Sequence, residues 1–264
     1  MSAPRVTVSP ANLVRELQSR LRADRPSALA FDADGTLWSG DVGEDVFRFA
    51  VENGRLREAA RAELELQATS RGFESFADVN GTAQHLFDAY LAGRYPEREI
   101  CELMTWCFAG HTVPEMTELA REALAVTRHG ERLNEELRPI LEFARGHGLR
   151  TIVISASPRA TVELAASAWG FAARDIAAST PRVVSGVIAP AMAGPLPYGA
   201  AKCVAGRALL GTAHWLGAFG DNVFDLEMMQ EAELGVAVRP KPALRARLAE
   251  IPGVRVLDAN FQSL

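Results

Sequence analysis

The sequence predicts an α/β protein, a parallel sheet covered by helices on both faces and interrupted after its first strand by an all-helical insert. Three observations predict it. From about residue 130 onward, short apolar runs alternate with segments of helical period, the pattern of strand–helix–strand crossovers. Between residues 43 and 129 the helical period persists with no convincing strand. Finally, 264 residues that are 48% hydrophobic and 23% charged can bury a sizeable core, as one large or two unequal domains.

Along the chain, Leu13, Leu17 and Leu21 lie four apart and predict an amphipathic helix over 11–23, closed by Pro26. Ala28 to Phe31 then read as a buried strand. The insert divides into four or five helices: VGEDVFRFAVENG, RLREAARAELELQA, FADVNGTAQHLFDAYLAG, PEREICELMTWCFAG and VPEMTELAREALAVTRHG. After it, ERLNEELRPILEFARGHG (helix) leads into LRTIVIS (strand), PRATVELAASAWG (helix) and the β-rich DIAASTPRVVSGVIAP. There follow YGAAKCVAGRALLG (helix), HWLGAFG (strand), VFDLEMMQEA (helix), LGVAV (strand), PALRARLAE (helix) and VRVL (strand). The expected architecture is a Rossmann-like core, residues 1–42 and 130–264, carrying a helical cap domain over 43–129. Functional sites in such sheets form at the carboxyl ends of the strands.

Composition narrows the function. The formal charge is −5 with no Lys/Arg block, which argues against nucleic acid and points to small-molecule chemistry. The N-terminal residues lack the apolar core of a signal peptide, and no apolar run approaches a membrane span, so no membrane role and a cytoplasmic location are expected. Cys101, Cys107 and Cys203 have neither disulfide nor zinc spacing and read as core residues in a reducing compartment. The five histidines show no ligand spacing.

The stretch FDADGTLWSGD, residues 31–41, admits a calcium loop, a polar turn or a catalytic centre. The calcium loop fails: a loop beginning at Asp32 would need an oxygen ligand, Gly and Glu where Thr36, Leu37 and Gly43 stand. Asp32 and Asp34 point the same way from a strand end, and two such carboxylates repel unless a cation joins them or one is protonated. Either state serves phosphoryl chemistry, with one carboxylate as nucleophile and the other exchanging a proton with the leaving group. Three further strand ends add to it. TIVISASP offers Ser155, with Ser157-Pro158 reading as an N-cap and first helical proline, a potential anion site. Of 28 basic residues only Lys202 and Lys241 are lysines. Lys202, at an unfavourable place for the helix dipole, reads as a required point charge, whereas Lys241 in RPKP reads as an ordinary surface lysine. AFGDNVFD places Asp221 just past a strand and Asp225 on the same side one turn later.

Together FDADGTL, VISAS, Lys202 and GDNVFD resemble the four motifs of the haloacid dehalogenase superfamily of phosphohydrolases, in the branch of phosphoserine phosphatases, whose cap lies where the helical insert does. The resemblance implies a magnesium-dependent phosphatase of a small phosphorylated metabolite. It makes Asp32 the nucleophile and a magnesium ligand. Asp34 becomes the general acid and base, with its main-chain carbonyl on the metal. Ser155 would hold a phosphoryl oxygen, Lys202 would neutralise charge, Asp221 would complete the Mg2+ site, and Asp225 would stand behind it or support Lys202. Asp34 favours phosphate over carbon–halogen chemistry, since dehalogenases lack this second aspartate.

Asp41 and Ala156, with Ser155, stand at substrate-facing positions of the resemblance, but phosphoserine phosphatases carry Glu at the first and Gly-Gly after the serine. A carboxylated substrate calls for a cap arginine, with Arg71 and Arg94 the candidates by location. Trp38, Phe87, Tyr90, Trp106 and Phe108 offer either cap packing or cation–π contact with a phosphocholine- or phosphoethanolamine-type substrate. Phosphotransfer to an acceptor alcohol, and a catalytically silent binding domain, are the remaining alternatives.

Overall fold

The structure, a computed structural model, describes residues 6–22 and 24–258; residue 23, the expected end of the first helix, lies outside them. In chain order, β1 (Val6–Val8) and α1 (Pro10–Arg20) precede β2 (Ser27–Phe31). Five helices follow: α2 (Val42–Glu52), α3 (Arg61–Thr69), α4 (Val79–Leu91), α5 (Glu97–Trp106) and α6 (Val113–Val126). Then come α7 (Arg138–Gly146), β3 (Arg150–Pro158), α8 (Arg159–Ala166), β4 (Ile176–Ser179), and a hairpin of β5 (Pro181–Val184) and β6 (Val187–Met192). The chain continues through α9 (Ala201–Leu210), β7 (His214–Gly220), α10 (Leu226–Glu231), β8 (Gly235–Val238), α11 (Pro242–Arg247) and β9 (Arg255–Leu257).

Among the described residues, seven strands form a parallel sheet in the order β1-β9-β8-β7-β2-β3-β4, an α/β Rossmann-like arrangement. Strand β1 is not foreseen by the sequence reading. Its three residues are too few for periodicity, and it exists through pairing with β9. Strand β2 is central, and all five of its residues are buried, as a strand covered on both faces requires. Alternation sends Leu29 and Phe31 into a core with Leu13, Leu17 and Leu137, while Ala28 and Ala30 face Ile152, Ile154 and Trp215 under the helices after β7.

The small residues on that second face let α9 approach closely. A Cβ on Gly206 would lie 2.4 Å from Cζ2 of Trp215 and 2.7 Å from Cδ1 of Ile154. Alanine normally improves a helix interior by about 1 kcal/mol over glycine. Here overlap with packed side chains outweighs it, and Gly206→Ala is expected to destabilise by about 1–3 kcal/mol in urea unfolding. A gain in stability would show that the approach is slack. The same approach seats Lys202, one helical turn earlier on α9.

The inserted helices bury their own core, with Phe47, Leu64, Leu86, Phe87, Ile100, Leu103 and Phe108 among its residues. Asp41, Asp78 and Thr112 cap α2, α4 and α6, the last through a capping box with Glu115. The β5–β6 hairpin stands apart from the main sheet and leans on this core. Ile188 packs in it and exchanges main-chain hydrogen bonds with Gly110 (2.9 Å) and His111 (2.8 Å). No described helix is long and apolar enough to cross a membrane.

Candidate active site

Register brings the motifs together. Phe31 pairs with Phe219 of β7 and with Val153 of β3, so Asp32, Asp221 and Ser155 emerge side by side at the carboxyl end of the sheet. The amide of Asp32 continues the ladder to the Phe219 carbonyl at 2.9 Å. Asp32, Asp34, Asp41, Ser155, Ala156, Lys202 and Asp221 all line one cleft, and Asp225 lies beneath it.

Lys202 is 4% exposed, and its Nζ donates to Asp32 Oδ1 (2.6 Å) and Asp225 Oδ1 (2.5 Å). Burial lowers the lysine's hold on its proton, but Asp225 and Asp32 outweigh it and keep the ammonium well above its ordinary range. The other oxygen of Asp225 accepts the amides of Asp221 (3.1 Å) and Asn222 (2.9 Å). Asp225 is thus fully occupied in holding the lysine and the turn after β7. Burial, with Lys202 opposing and Asp221 and Asp34 adding, pushes the Asp32 carboxyl up to about 7. Burial and Asp225 likewise raise Asp221.

Asp34 divides its oxygens. Oδ1 accepts from the Trp38 indole (2.9 Å) and the Val42 amide (2.8 Å), groups that can only donate. Oδ2 accepts from Ser157 Oγ at 2.7 Å, with Ser155 Oγ 3.5 Å away. Hydroxyls can reverse roles, so a proton on Asp34 belongs on Oδ2.

Three expectations are corrected. Ser157 does not cap α8, which begins at Arg159 with Pro158 in the capping position, because its hydroxyl is taken by Asp34. Lys241 is no ordinary surface lysine: its Nζ lies 3.0 Å from Asp221 Oδ2. Since β8 neighbours β7, the loop after β8 passes the end of β7, an adjacency absent from the local sequence. Arg71 pairs with Glu99 and Arg94 lies over Phe73, and neither reaches the cleft. For the aromatic residues the packing reading holds: the rings of Trp38, Phe87, Trp106 and Phe108 are buried in the cores and Tyr90 hydrogen-bonds Glu44, while the cleft's rings are Tyr198 and Phe224. Glu97, Cys101 and Asn222 also line it. Of the residues missed, only Lys241 carried a sequence signal, its rarity.

The carboxylates fit a hard divalent cation. Oxygens of Asp32, Asp221 and Asp225 lie within 4.8 Å of one another, buried. With Asp225 occupied, Asp32 and Asp221 are the available ligands, and an all-oxygen set suits magnesium. Gly35 keeps the loop against them: its φ is +82°, and a Cβ there would fall 2.2 Å from Asp221 Oδ2.

The family model for haloacid dehalogenase-like hydrolases matches residues 29–230. The chain belongs to this family. No curated protein matches it. Among solved structures, a protein of unknown function from Bordetella pertussis Tohama I is 19% identical with TM-score 0.69, covering 89% of this chain and 99% of that one. A probable phosphoserine phosphatase from Vibrio cholerae is 18% identical with TM-score 0.54, covering 84% and 59%. A phosphoserine phosphatase solved as a phospho-aspartyl intermediate analogue is 14% identical with TM-score 0.50, covering 89% and 94%. At these identities the likeness is one of fold. In this chain the residues of the four motifs stand at the carboxyl ends of β2, β3 and β7 and at the start of α9.

Proposed function

We propose that this hydrolase is a magnesium-dependent phosphatase of a small phosphomonoester and acts through an aspartyl-phosphate. The observation that carries the reading is the pairing of Asp32, held against the Lys202 ammonium, with Asp34, whose Oδ2 faces serine hydroxyls in the same cleft. An Asp32 oxygen attacks phosphorus as the bond to the leaving alcohol breaks, and Asp34 gives that alcohol its proton. Asp34 then takes a proton from water, whose oxygen attacks the phosphorus and restores the Asp32 carboxylate. Ser155, whose hydroxyl lies 3.5 Å from Asp34 Oδ2, would hold a phosphoryl oxygen, and Lys202 would offset charge between nucleophile and phosphate. Asp32 and Asp221 would hold magnesium, with the Asp34 main chain, and the ion would supply the positive charge that lets a phosphate dianion meet a carboxylate.

Phosphate release from a panel of small phosphomonoesters, with Mg2+ and with EDTA, tests this. Release that needs Mg2+ is expected, together with a rise in melting temperature on adding Mg2+ to the protein alone. Full activity in EDTA would remove the metal from the reading, and silence across the panel would favour a binding domain of the same fold.

A further inference from the structure

The cleft extends beyond the residues that would meet phosphate. Asp41, Glu97, Cys101, Tyr198 and Phe224 form the remaining wall. Asp41 and Glu97 come from the starts of α2 and α5, while Tyr198 and Phe224 come from the core and pack ring to ring at 4.1 Å. One oxygen of Asp41 caps α2 through the Glu44 amide. Among the described residues no hydrogen bond reaches its other oxygen, and no hydrogen bond or ion pair engages the Glu97 carboxylate; burial raises both carboxyls, and Lys241 opposes that from a distance. Glu44, beside them, is already taken by Tyr90 and Arg48.

Charge then decides what fits. Among the described residues five acids and two ammonium groups line the cleft, and no arginine does. A divalent cation and a phosphate dianion cancel each other, and even with Asp34 carrying the proton for the leaving alcohol four acids face two ammonium groups, so the excess of acids over bases persists when both are bound. A carboxylate on the leaving alcohol would deepen that excess without a cationic partner, and a cation would reduce it. Aromatic faces beside the acids suit an alkylammonium group.

We propose that the leaving alcohol of the substrate carries a cationic tail and no carboxylate, an amino-alcohol phosphate whose ammonium sits between Asp41, Glu97 and the Tyr198–Phe224 pair. This rests on the phosphatase reading above. Steady-state kinetics with phosphoethanolamine, phosphocholine, phosphoserine and the neutral ethyl phosphate test it. Expected is a kcat/KM at least about tenfold higher for an ammonium ester than for ethyl phosphate, with phosphoserine well below it. Glu97→Gln, and Asp41→Asn, which keeps the cap acceptor, should each cut the ammonium-to-neutral ratio several-fold. Either ammonium ester leading sustains the proposal. A wild-type ratio near one, a preference for phosphoserine, or a ratio unmoved by Glu97→Gln would overturn it. Hydrolysis of p-nitrophenyl phosphate reads the phosphatase assignment separately. If that fails, calorimetric titration of phosphoethanolamine against ethyl phosphate still reads the pocket: tighter amine binding lost in Glu97→Gln sustains it, and equal binding overturns it.

Discussion

Asp32→Asn is expected to lower kcat by a factor of about 10⁴ or more on any substrate that the wild-type protein turns over, because in the proposed mechanism the Asp32 carboxylate itself forms the bond to phosphorus. Its effect on stability should be small. The Asp32 carboxyl is buried, crowded by Asp221 and Asp34, and pushed up to about 7, so the fold gains little from its charge. The amide side-chain oxygen of Asn can still accept from Lys202, which keeps Asp225 as its partner. Unfolding of the variant in urea should therefore stay within about 1 kcal/mol of wild type. Retained turnover in a correctly folded variant would sink the nucleophile assignment, whereas collapse of the fold would show Asp32 to be structural first.

The opposite balance is expected at Lys202. Lys202→Met keeps much of the side-chain volume and removes the ammonium that Asp32 and Asp225 share. Both carboxylates are then buried without their cation, a loss of about 3–5 kcal/mol at pH 8. The sign with pH follows from linkage. In wild type the lysine's proton is held above its unfolded range, so its contribution is present through neutral pH and is lost only as pH rises through that raised value. In the variant the two carboxyls, already raised by burial, are buried most cheaply when protonated. Its stability should recover from pH 8 toward pH 5, and the gap to wild type should narrow. Activity should be lost at both. Urea unfolding of both proteins at the two pH values checks this; a Met variant as stable as wild type at pH 8 would mean that the pair is not what holds α9 to β2.

Much of this was legible in local pattern. The buried run before Asp32, the strand ending at Gly220 and the helical period of the insert are properties of ten or so consecutive residues, and periodicity reads them directly. The motif residues were legible because strands of a parallel sheet end on the same side, so Asp32, Ser155 and Asp221 had to share an edge once the crossovers were recognised. Lys202 was legible for a different reason, its rarity in an arginine-rich chain.

What the sequence by itself determined, then, is the α/β class, the helical insert and the candidate site residues, set by short-range period and strand ends and, for Lys202, by composition. What only the tertiary structure decided is who serves each of them. Ser157 belongs to Asp34, Lys241 to Asp221, and Glu97 with Tyr198 and Phe224 to one wall of the same cleft. The physical reason is that these pairings join residues far apart in the chain. They depend on strand order, on the close approach of α9 and on where the insert docks, which are fixed by packing and by no local pattern.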